Sequence, residues 1–105
     1  MKNLRITLSD LAISDILEQA EWYGTHSDSV ATRWEKSVTS ALLRIAGSPR
    51  SGVLCRFQAD ELREVRRSPV AGFPKHLVFY QVYDDKIVIL RVVHGARDLE
   101  SLFSN

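Results

Sequence analysis

The residues best able to do chemistry gather late in the chain, where His94 follows an apolar run between Arg91 and Arg97 and an Arg66-Arg67 pair lies upstream. A histidine among arginines is a minimal set for cutting RNA without a metal. That reaction needs one group to take the proton from a 2′-hydroxyl, another to protonate the leaving oxygen, and cations to hold the charged phosphorane. The same residues have plainer uses. His94 stands where a strand turns, and a ring nitrogen can fix that turn by bonding a carbonyl or a carboxylate such as Asp98. Gly95 supplies the backbone freedom such a turn demands. Arg66 and Arg67 could grip phosphate, bind acidic parts of a protein partner, or solvate a strand. Tyr80 is expected to pack its ring on the sheet, with stacking against a base as a secondary use.

The remaining reactive groups read more simply. His76, just after Pro74, and His26, between two helical segments, are expected to be surface or capping groups. Cys55 has Arg56 beside it to lower its pKa slightly, yet no base can be assigned to it, so an inert or buried thiol is expected. Trp22 and Trp34 fall at helical positions suited to a helix–helix seam and are read as core or partner-facing. No metal-ligand spacing, glycine-rich phosphate loop, paired catalytic carboxylates or Ser-His-Asp arrangement is apparent, so neither a metal nor a cofactor is expected.

These groups must be positioned by a chain of 105 residues, long enough for one compact domain over 1–105 and short for two. A 45% hydrophobic and 26% charged composition argues for a globular fold and against disorder. With one cysteine, no apolar leader and aliphatic runs no longer than Ile87-Val88-Ile89-Leu90, the expected setting is the reducing cytoplasm, away from membranes. The net charge of +1 conceals a polarity: Arg50 to Arg97 holds nine Lys/Arg against five acids, a net +4, and the remainder is −3. Such a domain could offer a basic surface to nucleic acid or to an acidic protein.

Periodicity supplies the elements. Leu4, Ile6 and Leu8 alternate as a short strand, after which Ser9 or Asp10 can cap a helix with an apolar stripe at Ile13, Ile16, Leu17 and Ala20, fraying near Gly24. Residues 26–29 can cap a second helix carrying Ala31, Trp34, Val38, Ala41, Leu42 and Ile45 on one face, stopped by Gly47 and Pro49. The short join makes these an antiparallel helical hairpin. Ser48 to Ala59 reads as a loop, and Leu62 to Arg67 as a strand broken by Pro69 and Gly72. Lys75–Tyr83 and Lys86–Val93 read as strands joined by a two-residue Asp84-Asp85 turn. That turn pairs Tyr83 with Lys86 and runs the register back to Leu77 opposite Val92. The face with Leu77, Phe79, Val88, Leu90 and Val92 is then the expected core face, against Val78, Tyr80, Val82, Ile87, Ile89 and Arg91. Asp98 could cap a short helix through Leu102 and Phe103. The fold class is α+β: an N-terminal strand, a helical hairpin, a three-stranded antiparallel sheet covering the hairpin on one side and partly open on the other, and a short C-terminal helix.

The segment KHLVFYQVYDDKIVILRVVHGARDL resembles the C-terminal signature of ParE-type toxins in the ParE/RelE superfamily: Phe79-Tyr80, the acidic turn, Lys86 to Leu90, then Arg91 through Asp98. Leu62 to Arg67 resembles the family's arginine-bearing strand, and Leu8-Ser9, Ala12, Asp15-Ile16 and Gly47 to Arg50 match in kind. The resemblance implies a toxin of a type II toxin–antitoxin module, wrapped by a cognate ParD-like antitoxin in a hetero-oligomer. It also implies one of two activities. RelE-like members are metal-free endoribonucleases that cut mRNA on the ribosome, with His94 and Arg66 in the catalytic positions. ParE-like members inhibit DNA gyrase without enzymatic activity of their own, and Arg67, Arg91, Arg97, Tyr80, Trp22 and Trp34 would then serve target or antitoxin binding. Gly95 stands where the nucleases offer an aromatic or basic side chain, which favours the ParE-like, gyrase-directed reading. An inactive or non-toxic binding partner is the third reading.

Overall fold

Ser9 does two things at once at the start of the first helix. Its Oγ accepts the Ala12 N–H at 3.0 Å and donates to the Leu90 carbonyl at 2.8 Å, so the helix cap is also a bond to the sheet. The computed structural model describes residues 4–95. It runs β1 (Arg5–Leu8), α1 (Asp10–Gly24), α2 (Asp28–Gly47), β2 (Val53–Leu54), β3 (Arg66–Val70), β4 (Phe73–Val82) and β5 (Lys86–His94). Short 3-10 turns at Pro49–Ser51 and Asp60–Leu62 flank β2. The expected C-terminal helix lies outside the described residues.

Both helices form as anticipated, each capped by a serine and opened by an aspartate in its first turn, where the helix dipole favours negative charge. They pack through Trp34, fully buried, whose Nε1 donates to the Ile16 carbonyl at 3.1 Å. Trp22 is not in that seam but 57% exposed. The rotation of α1 also differs from the expected stripe: Ala12 and Ala20 are buried and Ile16 half-buried, whereas Ile13 and Leu17 face outward at 43% and 62% exposure. The reason is Asp15, which must face β5. Its carboxylate takes Arg91 Nε and Nη2 at 2.8 and 2.9 Å and the Val92 N–H at 3.0 Å, fixing the helix azimuth.

The sheet has five strands in the order β1-β5-β4-β3-β2, mixed rather than purely antiparallel, because the N-terminal strand joins it parallel to β5. The strand expected at Leu62–Arg67 is displaced. Leu62 closes a 3-10 turn, Glu64 takes a left-handed φ of 56° that interrupts extension, and β3 continues through Pro69, beside a register irregularity that tolerates the missing N–H. Gly72, at φ +85°, turns the chain into β4, which starts at Phe73 rather than Lys75.

Near its turn the β4–β5 hairpin keeps the expected register: Tyr83 N donates to the Lys86 carbonyl at 2.8 Å and Val82 pairs with Ile87. A bulge between Phe79 and Tyr80, with Leu90 the extra residue on β5, then slips the pairing by one, so Leu77 faces Val93 and not Val92. The slip carries Val92 across to the face of Val78, Tyr80, Ile87 and Ile89, and the helices cover that face rather than the expected one. Val78, Tyr80, Ile87, Ile89 and Val92 form the main core with the helices. Leu77, Phe79, Leu90 and Val93 form a second cluster on the far face under Leu62, Val65 and Phe57. The far face is thus partly roofed by the β2–β3 connection, pinned by Gln81 Nε2 to the Glu61 and Arg63 carbonyls at 3.1 and 3.0 Å.

Asp15→Ala removes the partner of a largely buried guanidinium and strands the Val92 N–H. It should cost about 3 kcal/mol in urea unfolding. Arg91→Ala added to it should cost little more, because the two act as one unit. A loss below about 1 kcal/mol, the range of an exposed ion pair, would show that the Asp15–Arg91 contact does not clamp the fold.

Candidate functional site

Tyr80 and Arg66, opposite one another on β4 and β3, organise the segment before β2. The Tyr80 hydroxyl, fully buried, donates to the Pro49 carbonyl at 2.8 Å and accepts the Gly52 N–H at 3.0 Å. Burial raises its pKa above the ordinary tyrosine value, although the Gly52 bond and the Arg66 charge oppose the rise. Gly52 is required there, since a Cβ would collide with the Tyr80 hydroxyl. Arg66 Nη1 donates to the Arg50 and Gly52 carbonyls at 3.0 and 2.8 Å, so its guanidinium holds the same loop. Arg67, exposed, is the cation beside Cys55, with Nη1 3.9 Å from Sγ. Arg56 does not play that part. Burial outweighs Arg67 and leaves the thiol pKa raised.

Arg91 is bound to Asp15, whose hydrogen bonds raise its already high pKa further against the opposing effect of burial. Arg97 lies outside the described residues. His94 ends β5, and Gly95 N donates to the Lys75 carbonyl at 2.7 Å. That bond makes His76 and His94 a non-hydrogen-bonded cross-strand pair, the closer kind. Their ring centroids are 5.5 Å apart. His76 is not a surface group: it is 9% exposed, with Trp34 at 4.9 Å and Phe73 and Tyr23 within 6.5 Å. Burial, reinforced by His94, lowers its pKa. Both histidines line a cleft of about 670 Å³ between α1 and the ends of β4 and β5, walled by Glu18, Trp22, Tyr23 and Lys75.

The anticipated residues therefore fall into two groups. His94 is level with position 76 of β4 and Arg66 with position 80, on the strands to either side of β4. At strand geometry this is ~13 Å along the sheet and ~10 Å across, a separation of ~16 Å. Trp34 is core; Trp22 stands at the cleft. Asp15, met in the sequence only within the family resemblance, and His76, read there as a surface or capping group, hold central places. Asp15 is separated from Arg91 by 76 residues, so only the fold joins them. His76 could have been found from a register that allowed one bulge.

An α+β fold with a helical hairpin on one face of a mixed sheet is shared with a chain of a solved structure, the chromosomal ParDE TA system from P. aeruginosa. The match has a TM-score of 0.70 at 13% identity and covers 87% of this chain and 95% of that one. No curated protein sequence matches. The family model for the ParE toxin of the type II toxin–antitoxin system parDE matches residues 6–99, so the chain belongs to the ParE toxin family.

Tyr80→Phe leaves the Pro49 carbonyl and Gly52 N–H unbonded in a buried place and should lower stability by about 1–3 kcal/mol in chemical denaturation. Native His76 binds a proton less readily than the unfolded chain. Its contribution is therefore complete above the ordinary value of 6.5 and lost as pH falls from there toward its lower native value. Denaturation midpoints should fall across that window in the parent and fall less in His76→Gln; equal declines would remove His76 as the cause.

Proposed function

We propose that the chain is the toxin of a ParDE-type module, neutralised by a cognate antitoxin and acting in the cytoplasm by binding a protein target, DNA gyrase, rather than by cutting RNA. One observation carries the choice: Arg66 and Arg91, the two described arginines that RNA cleavage would need at His94, are engaged elsewhere. Arg66 holds two loop carbonyls ~16 Å away at strand spacing, and Arg91 is clamped by Asp15. Arginines locked into the scaffold do not gather at a transferring phosphate. An antitoxin is supported by Leu11, Leu17 and Trp22 on α1, Leu43 on α2 and Val53-Leu54 on the edge strand, all about half exposed or more. Apolar side chains on outer helix faces and a sheet edge suit a partner that lays a helix and an extended segment over them.

Purified chain should inhibit gyrase supercoiling and leave ribosome-bound message intact, and adding the antitoxin should restore supercoiling. Codon-specific cuts in message with gyrase unaffected would replace this reading with the RelE-like nuclease. Normal growth on expressing the chain alone would replace it with a non-toxic binding partner.

A further inference from the structure

We propose that His76 and His94 form a two-histidine site for a divalent transition-metal ion of the zinc class, at the floor of the cleft between α1 and the ends of β4 and β5. The pair is built by the ladder: the two residues are directly opposed on antiparallel strands in a non-hydrogen-bonded position, which brings side chains closest. With ~2.0–2.1 Å metal–nitrogen bonds and a ring centroid ~1.2 Å from its nitrogen, two imidazoles on one near-tetrahedral ion hold their centroids ~5.2–5.4 Å apart. The observed separation is 5.5 Å with the ring planes 76° apart, so the ring centres already stand at that distance and ring rotation brings the nitrogens to the ion.

The chemistry of the surroundings agrees. Imidazole binds zinc-class ions in its neutral form, and burial among Trp34, Phe73 and Tyr23 keeps His76 neutral to lower pH than usual. Packing against Trp34 also limits the ring's freedom, so less entropy is lost on ligation. Each imidazole ligates through one nitrogen and keeps the other for a hydrogen bond. Glu18 and Lys75 line the same cleft with opposite charges and Asp15 is paired with Arg91, so these groups leave no net charge against the ion. Among the described residues no group of three His, Cys, Asp or Glu is arranged around a metal. Among the described residues the site has two ligands, His76 and His94, and water or a small donor entering the cleft adds to the shell. Such an ion binds reversibly and links β4 to β5 at the end where the hairpin is open.

Zn²⁺ titrated into the full chain, with histidine ring proton resonances followed by NMR, tests this. Saturation at one ion per chain is expected, with the His76 and His94 signals shifting and that of the exposed His26 unmoved. His94→Ala, checked as folded by its remaining His76 and Trp34 signals, should bind about tenfold more weakly or worse, and His26→Ala should bind like the parent. Affinity should fall as pH is lowered, since protons compete for the same nitrogens. Absence of saturable binding, shifts confined to His26, or unchanged affinity in His94→Ala would each overturn the site.

Discussion

The carboxylate of Asp15 is the constraint on which the rest of this fold turns. β1 ends at Leu8, so the backbone groups farther along that side of β5 have no strand partner, and buried backbone groups must find one. The last ladder bond runs from the Ser9 N–H to the Ile89 carbonyl, and beyond it the Leu90 carbonyl is met by the Ser9 hydroxyl and the Val92 N–H by Asp15. The cap and one turn of α1 therefore continue the partner that β1 provides along β5. The cost of burying a carboxylate is offset by a bidentate guanidinium, the strongest common partner for it. Helix rotation, bulge position and Arg91 conformation are thereby one decision.

Much of the architecture was legible because it is local. Ser9, Ser27, Gly47 and Pro49 punctuate two helices by short-range chemistry, and β-branched runs around Asp84-Asp85 announce a hairpin. Apart from the left-handed Glu64 that displaces β3, the failures are non-local. A parallel partner for Arg5–Leu8 lies about 80 residues away and leaves no trace in a four-residue pattern. The Leu90 bulge sits where α1 docks and interrupts the period of two, so a perfect alternation carried the register one step wrong. The α1 stripe failed for the same reason. Leu11, Ile13 and Leu17 are apolar enough to be core, but alanines at 12 and 20 allow close approach, and Asp15 selects that face.

The candidate site was legible in its residue types and illegible in its grouping. His94 and Arg91 look in sequence like members of one constellation because they lie three residues apart, and the family resemblance adds Arg66 to them. In space both arginines serve the scaffold. Arg66 and Tyr80 together tie down the turn before β2, and Arg91 neutralises the bulge clamp. Conversely, His76 looked incidental because Pro74 and its position at a strand start suggested exposure. The aromatic ring cluster of Tyr23, Trp34 and Phe73 encloses it instead.

The clamp and the histidine pair are connected through register. With the turn at Asp84-Asp85 and no bulge, His76 would face Val93 and His94 would face Lys75. One extra residue at Leu90 moves His94 opposite His76 and simultaneously carries Val92 onto the helix side of the sheet. The feature that makes α1 dock is thus the feature that brings two imidazoles to the floor of the cleft beside it. A substitution that removed the bulge would have to lose the Asp15 contacts and the histidine pairing together, since neither arrangement survives in the regular register.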